Sequence, residues 1–173
     1  VFNILGALTN PENAGCHTLG VFQKDLSPVM AKVLNGLDAK HVFTVHNSCG
    51  IDEVAPVGIN YITEVDKGKI ESYAITNEEF GLPGCKIEDI LSGNLDDNLN
   101  IAIKILTNKA QDAKSNTVLM NAALTLKSVN KGSDFNDCVS NAKNSIESGN
   151  ALQKLKDFVI TSSVKIDKLN SLL

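Results

Sequence analysis

The pattern of apolar and polar positions divides the chain into a mixed first half and a helical second half. Residues 18–22 form a short apolar run, followed by Asp25-Leu-Ser-Pro28, a helix-start signature with proline at an early helical position. Leu26, Val29, Met30, Val33, Leu34 and Leu37 then recur at the 3.6-residue period of one apolar helix face, with Gly36 as the expected terminator. Val42 to Val45 is β-branched and aromatic between polar residues, which predicts a strand buried on both faces. Strand, helix and strand together predict a parallel βαβ unit.

Beyond it, Ile59, Tyr61, Thr63 and Val65 alternate with Asn60, Glu64 and Asp66, although Ile62 breaks the alternation. Asp66-Lys-Gly-Lys69 reads as a turn and residues 70–75 as a second strand, so residues 59–75 are expected to form an antiparallel hairpin. The remainder is helical in period. A single turn is expected over 87–91, a helix over 96–106 with Leu99, Ala102, Ile103 and Leu106 on one face, and a long buried helix over 112–129. Gly132-Ser-Asp134 and Gly149-Asn150 separate two further helices, through Val139, Ala142 and Ile146 and through Leu152, Leu155 and Val159. The expected fold class is α/β, a mixed and mainly parallel sheet flanked by helices. Residues 1–173 read as one domain, with 161–173 as a tail.

Composition narrows the function. At 173 residues and 43% hydrophobic, the chain suits a single globular core. A net charge of −4 with 16 scattered Lys and Arg gives no basic stripe, which argues against a nucleic acid partner. No apolar run is long enough to span a bilayer and no signal-type N-terminus is present, so no membrane partner is expected and the expected location is the cytoplasm. Cys16, Cys49, Cys85 and Cys138 are widely spaced, form no Cys-x-x-Cys pair, and read as reduced thiols. Dinucleotide, phosphate-loop, zinc-protease and nucleophile-elbow signatures are absent. Val1-Phe-Asn-Ile-Leu5 opens directly on an apolar segment without Met, which reads as a piece of something longer.

The chemistry-bearing stretch is His46-Asn-Ser-Cys-Gly-Ile-Asp-Glu-Val-Ala-Pro56. Asp52 and Glu53 are adjacent carboxylates after a predicted buried strand, and oxygen ligands suit Mg²⁺, which takes one or two protein carboxylates and completes its shell with water and phosphate. On a regular strand the two side chains point to opposite faces, so a shared cation needs irregular backbone, which Gly50 and Pro56 supply. A solvated loop dipeptide is the bland alternative. His46, at the end of the strand, either lines a site or makes a structural hydrogen bond.

Four segments carry a resemblance: Phe2-Asn-Ile-Leu-Gly-Ala-Leu-Thr-Asn-Pro11, Gly50-Ile-Asp-Glu-Val-Ala-Pro56, Val118-Leu-Met-Asn-Ala-Ala123 and Ser148-Gly-Asn-Ala-Leu152. In that order and at similar spacing they resemble the C-terminal part of the anthranilate phosphoribosyltransferases, across nearly the whole chain to about residue 160. The resemblance implies Mg²⁺-dependent transfer of phosphoribosyl from phosphoribosyl pyrophosphate to anthranilate in tryptophan synthesis. It implies Asp52 and Glu53 as Mg²⁺ ligands, Gly6 and Ala7 as part of the anthranilate channel wall, and no nucleophilic catalytic residue. Ala7 stands where the family usually has proline. The family's glycine-rich phosphate loop, Lys-His-Gly-Asn segment, metal-binding serine, anthranilate-binding arginine and helical dimerisation domain all belong upstream of Val1, so a homodimer is expected for the full-length protein. Two rivals remain open here, a pyrimidine-nucleoside phosphorylase-like transferase and a non-catalytic binding module on the same scaffold. The 173 residues alone are expected to give no turnover, and detectable phosphoribosyl anthranilate production by the isolated chain would overturn that expectation.

Overall fold

The structure is a computed structural model that describes residues 14–162 together with Gly6, Leu8 and Thr9. Strands β1 (Cys16–Gly20), β2 (His41–Asn47), β3 (Asn60–Asp66) and β4 (Lys69–Ile75) lie side by side in that order. Helix α1 (Leu26–Gly36) connects β1 to β2, which pair in parallel from Cys16–His41 to Gly20–Val45, as the βαβ reading requires. β1 falls two residues earlier than the apolar run suggested, because that run continues past the ladder through buried Val21 to exposed Phe22.

The fold is α/β with a mixed sheet, as expected, but the parallel share among the described strands is limited to β1–β2. β2–β3 and β3–β4 are antiparallel. For β3–β4 the reason is local: Lys67 (φ 48°) and Gly68 (φ 86°) make a two-residue turn with both residues left-handed, and so short a connection joins only antiparallel neighbours. A left-handed turn also accounts for the end of α1, where Asp38 (φ 61°) rather than Gly36 takes the positive φ.

Helices cover both faces of the sheet. Ala31 and Leu34 of α1 pack with Val42 and Val65 on one face. On the other, Phe43, Val45, Ile62 and Ile75 meet α3 (Ala113–Ser128) through Leu119, Met120, Ala123 and Leu124, and α4 (Phe135–Glu147) through Cys138, Val139 and Ala142. β2 is buried at all seven positions, which explains its β-branched and aromatic centre, Val42-Phe-Thr-Val45. Ile62 departs from alternation for the same reason: it and Thr63 are both buried, each under a different helical layer. Three helices begin where a side-chain oxygen caps the first turn. Asn94 accepts from the Asp97 amide at the start of α2 (Leu95–Leu106), Asp112 from Ser115 in α3, and Asp134 from Asp137 in α4. Helix α5 (Asn150–Thr161) follows left-handed Gly149. Thr161 closes α5, and the rest of the expected tail, residues 163–173, lies outside the described residues.

The face of α1 differs from its apolar stripe. Ser27, Met30, Ala31 and Leu34 are buried, whereas Val29, Val33 and Leu37 are 51%, 39% and 49% exposed. The helix is rotated because the strands beneath its first turn present hydroxyls. Ser27 Oγ lies 2.8 Å from Thr44 Oγ1 and 3.1 Å from Thr63 Oγ1, and Thr63 Oγ1 lies 2.9 Å from Ser72 Oγ. Hydroxyl groups buried there need one another, and a Val or Leu over them would leave them unpaired.

This packing separates two substitutions. Phe43→Ala is expected to lose about 3–5 kcal/mol in urea unfolding, whereas Val29→Ala, on the supposed core stripe, is expected to lose under about 1 kcal/mol. Equal losses would refute the observed rotation of α1.

Candidate metal and phosphate site

The acidic pair lies on the segment from Ser48 to Ile59, between the end of β2 and the start of β3. Buried backbone leaving a sheet must replace its ladder partners, and asparagine side chains do so here. At the base, Asn47 N–H donates to the Ile51 carbonyl at 2.8 Å and Gly50 N–H to the Asn47 carbonyl at 2.9 Å, closing a tight turn through Gly50 at φ 83°. Asn47 Oδ1 accepts from the Cys49 amide, while its Nδ2 donates to the Val57 carbonyl and to Asn60 Oδ1, each at 2.8 Å. Asn60 then holds both polar backbone atoms of Ala55, at 2.9 and 3.1 Å. Asn121 of α3 does the same for Val54, at 3.2 and 2.8 Å. Val54 and Ala55 are thereby completely buried while Asp52 and Glu53, just before them, stay exposed.

The loop is also pressed against β1. A Cβ on Gly20 would fall 1.6 Å from the Asp52 carbonyl oxygen, so only glycine lets the end of β1 approach this closely.

Asp52 and Glu53 stand at the edge of a cleft of 1130 Å³. Thr18 and Gly20 of β1 and Val45 of β2 form its base, Ile101, Ala102 and Ile105 of α2 one wall, and α3 the other. Most of the lining is apolar, with Lys114, Thr117, Asn121 and Thr125 as a polar stripe along α3. Lys114 Nζ donates to the Leu91 carbonyl at 2.5 Å, which brings an ammonium to the same cleft as the two carboxylates. Among the described residues, no cation or hydrogen-bond donor pairs with either carboxylate, and no cluster of three or more His, Cys, Asp and Glu is present. Two exposed adjacent carboxylates, unpaired among the described residues, suit a hydrated Mg²⁺ that shares its shell with phosphate oxygens.

The other expected residues separate from this site. Gly6 is exposed with open space around its Cα and is not among the described residues lining the cleft, and Ala7 lies outside the described residues. His46 makes the structural hydrogen bond: its Nδ1, 2.8 Å from the Val21 carbonyl, carries the proton and donates it. At the opposite end of β2, His41 Nε2 lies 2.8 Å from Glu64 Oε1 and Tyr73 Oη donates to Glu64 Oε2 at 2.8 Å. Burial and the Glu64 carboxylate push the Tyr73 phenol well above its ordinary range, so Tyr73 is held as a neutral donor far from the cleft. All four cysteines are free thiols. Burial, together with the nearby Asp89 and Cys49, raises the Cys85 thiol, and burial raises Cys138, which disfavours thiolate chemistry at both.

Sequence reading missed Gly20, Asn60, Lys114 and the task of Asn121. The segment Val118-Leu-Met-Asn-Ala-Ala123 marks the right turn of α3, but nothing in it signals that its asparagine reaches a loop 67 residues earlier.

Residues 1–152 match the family model described as "Glycosyl transferase family, a/b domain". The anthranilate phosphoribosyltransferase of Moorella thermoacetica is 39% identical over 158 residues, which cover 91% of this chain and 46% of that protein. Among solved structures, the Saccharomyces cerevisiae anthranilate phosphoribosyltransferase in complex with 4-fluoroanthranilate superimposes with a TM-score of 0.82 at 27% identity, covering 94% of this chain and 47% of that one. The same yeast enzyme in complex with PRPP and Mg superimposes with a TM-score of 0.77 at 25% identity, covering 86% and 43%. The chain thus spans about half the length of the curated relatives it matches.

The close approach at Gly20 has a measurable consequence. Gly20→Ala is expected to destabilise by about 2–3 kcal/mol, because the added methyl must displace the Asp52 backbone. Gly50→Ala, strained in φ but in open space, is expected to cost only about 1–2 kcal/mol. Urea midpoints compared for the two variants check the order, and a harmless Gly20→Ala would contradict the contact.

Proposed function

The chain belongs to the glycosyl transferase family, a/b domain, and from that premise we propose that it is the C-terminal α/β part of an anthranilate phosphoribosyltransferase. The reaction forms a bond from the anthranilate amine nitrogen to C1′ of phosphoribosyl pyrophosphate, breaks the C1′–oxygen bond to pyrophosphate, and releases the amine proton. The observation that carries this reading is the exposed Asp52–Glu53 pair, without a partner among the described residues and held on a clamped loop at the edge of a large cleft.

Asp52 and Glu53 are the residues that would hold Mg²⁺. When bound there, Mg²⁺ neutralises charge developing on the departing pyrophosphate. The chain's own contribution is to fix both carboxylates before substrate arrives, through the bonds to Val54 and Ala55, so that little rearrangement accompanies the reaction. Lys114, across the cleft, adds a positive group facing the same space, suited to phosphate oxygens. The apolar walls suit the ring of anthranilate, and from the family resemblance we assign Gly6 and Ala7, which are not among the described cleft lining, to the entry channel for that substrate. No side chain is required as a nucleophile. We place the complete protein in the cytoplasm as a homodimer; no described helix is long and apolar enough to cross a membrane.

Asp52→Asn and Glu53→Gln preserve shape while removing charge. In the full-length protein each is expected to lower kcat/KM for phosphoribosyl anthranilate formation on the order of 100-fold and to shift the Mg²⁺ requirement upward. Unchanged activity and unchanged Mg²⁺ dependence in both variants would sink the proposal.

A further inference from the structure

Val54 has no strand partner, yet both of its backbone polar groups are satisfied by one side chain. Its N–H donates to Asn121 Oδ1 at 3.2 Å, and its carbonyl accepts from Asn121 Nδ2 at 2.8 Å. The same Nδ2 donates to the Thr117 carbonyl at 2.9 Å, one turn back along α3, which holds the carboxamide against the helix. The Asn121 carboxamide is therefore committed to backbone on both of its ends.

The position of this clamp gives it a consequence beyond stability. Val54 immediately follows Glu53, so holding Val54 to α3 fixes the backbone from which the Glu53 and Asp52 side chains project. Asn47 and Asn60 hold the loop to the sheet from within the same stretch of chain. Asn121 adds a tether to α3, the wall that also carries Lys114 two turns away. Among the described residues, that carboxamide makes the hydrogen bonds that tie the acidic loop directly to the wall carrying the ammonium.

We propose that Asn121 is a positioning residue for the cation site: it acts through the Val54 backbone, touches neither cation nor substrate, and sets the direction of the Asp52 and Glu53 carboxylates relative to the α3 wall. The proposal rests on the reading of Asp52 and Glu53 as Mg²⁺ ligands. Groups that orient metal ligands without binding the metal typically govern its affinity by about 10-fold to 100-fold. An asparagine that served stability alone would change the fraction of folded protein and leave the affinity of the folded molecule as it was.

The test is titration with Mn²⁺ alone, read by the electron paramagnetic resonance of free Mn²⁺, on the full chain and on Asn121→Ala, Asn121→Gln and Asp52→Asn, with thermal unfolding recorded for each. Asn121→Gln retains the neutral carboxamide but displaces the clamp by one methylene, and serves if Asn121→Ala does not fold. Expected is weakening of Mn²⁺ binding by about 10-fold in folded Asn121→Ala, a smaller weakening in Asn121→Gln, and loss of the site in Asp52→Asn. Binding lost in Asp52→Asn but unchanged in both Asn121 variants overturns the positioning role and leaves the cation site standing. Binding unchanged in Asp52→Asn overturns the cation site itself.

Discussion

The structure around the acidic pair depends on satisfying buried backbone where the chain leaves β2. Between Ser48 and Ile59 there is no ladder, yet Val54 and Ala55 are completely buried. Each uncompensated amide or carbonyl there would cost about 1–3 kcal/mol. Two asparagines, Asn121 and Asn60, each supply one acceptor and one donor to one residue, and Asn47 joins Asn60 to the Cys49 and Val57 backbone. Asparagine suits this task because its short side chain ends in a group shaped like a peptide unit. The buried residues carry the rigidity, and the exposed Asp52 and Glu53 beside them inherit it.

The same accounting shapes the layers. On the α3 and α4 side the sheet is apolar and aromatic, with Phe43 beside Phe135 and Phe135 stacked on Phe80 at 4.8 Å. On the α1 side a hydroxyl ladder from Ser27 through Thr44 and Thr63 to Ser72 replaces part of that core. The polar ladder sets the rotation of α1, and the apolar layer sets where α3 lies. The placement of α3 then brings Asn121 to Val54 and Lys114 to the cleft, so core packing on one face decides the geometry of a polar site at the sheet's end.

Much of the fold was legible because its signals are local. Helix α3 close to its expected span 112–129, the break at Gly132-Ser-Asp134 before α4, the turn through Lys67 and Gly68, and the doubly buried β2 all follow from periodicity and turn chemistry acting within a few residues. The parallel pairing of β1 and β2 followed from the helix between them. The rotation of α1 was not legible, since Leu26, Val29, Val33 and Leu37 make as good an apolar stripe as the one buried, and the hydroxyls that decide the matter belong to β2, β3 and β4. The site was half legible: residue type alone leaves Asp52 and Glu53 open between a solvated loop pair and the cation ligands proposed from the family resemblance, while Gly50 announces the bend.

The sequence by itself determined the kinds of element, the mixed α/β class and the place of the adjacent carboxylates just after a buried strand, because side-chain period and turn residues are properties of short stretches. Only tertiary structure decided that His46 bonds the Val21 carbonyl, that Gly20 must be bare for Asp52 to lie against it, and that Asn121 clamps Val54. Those contacts join residues 25, 32 and 67 positions apart, and their existence depends on which faces pack, a quantity that no window along the chain contains.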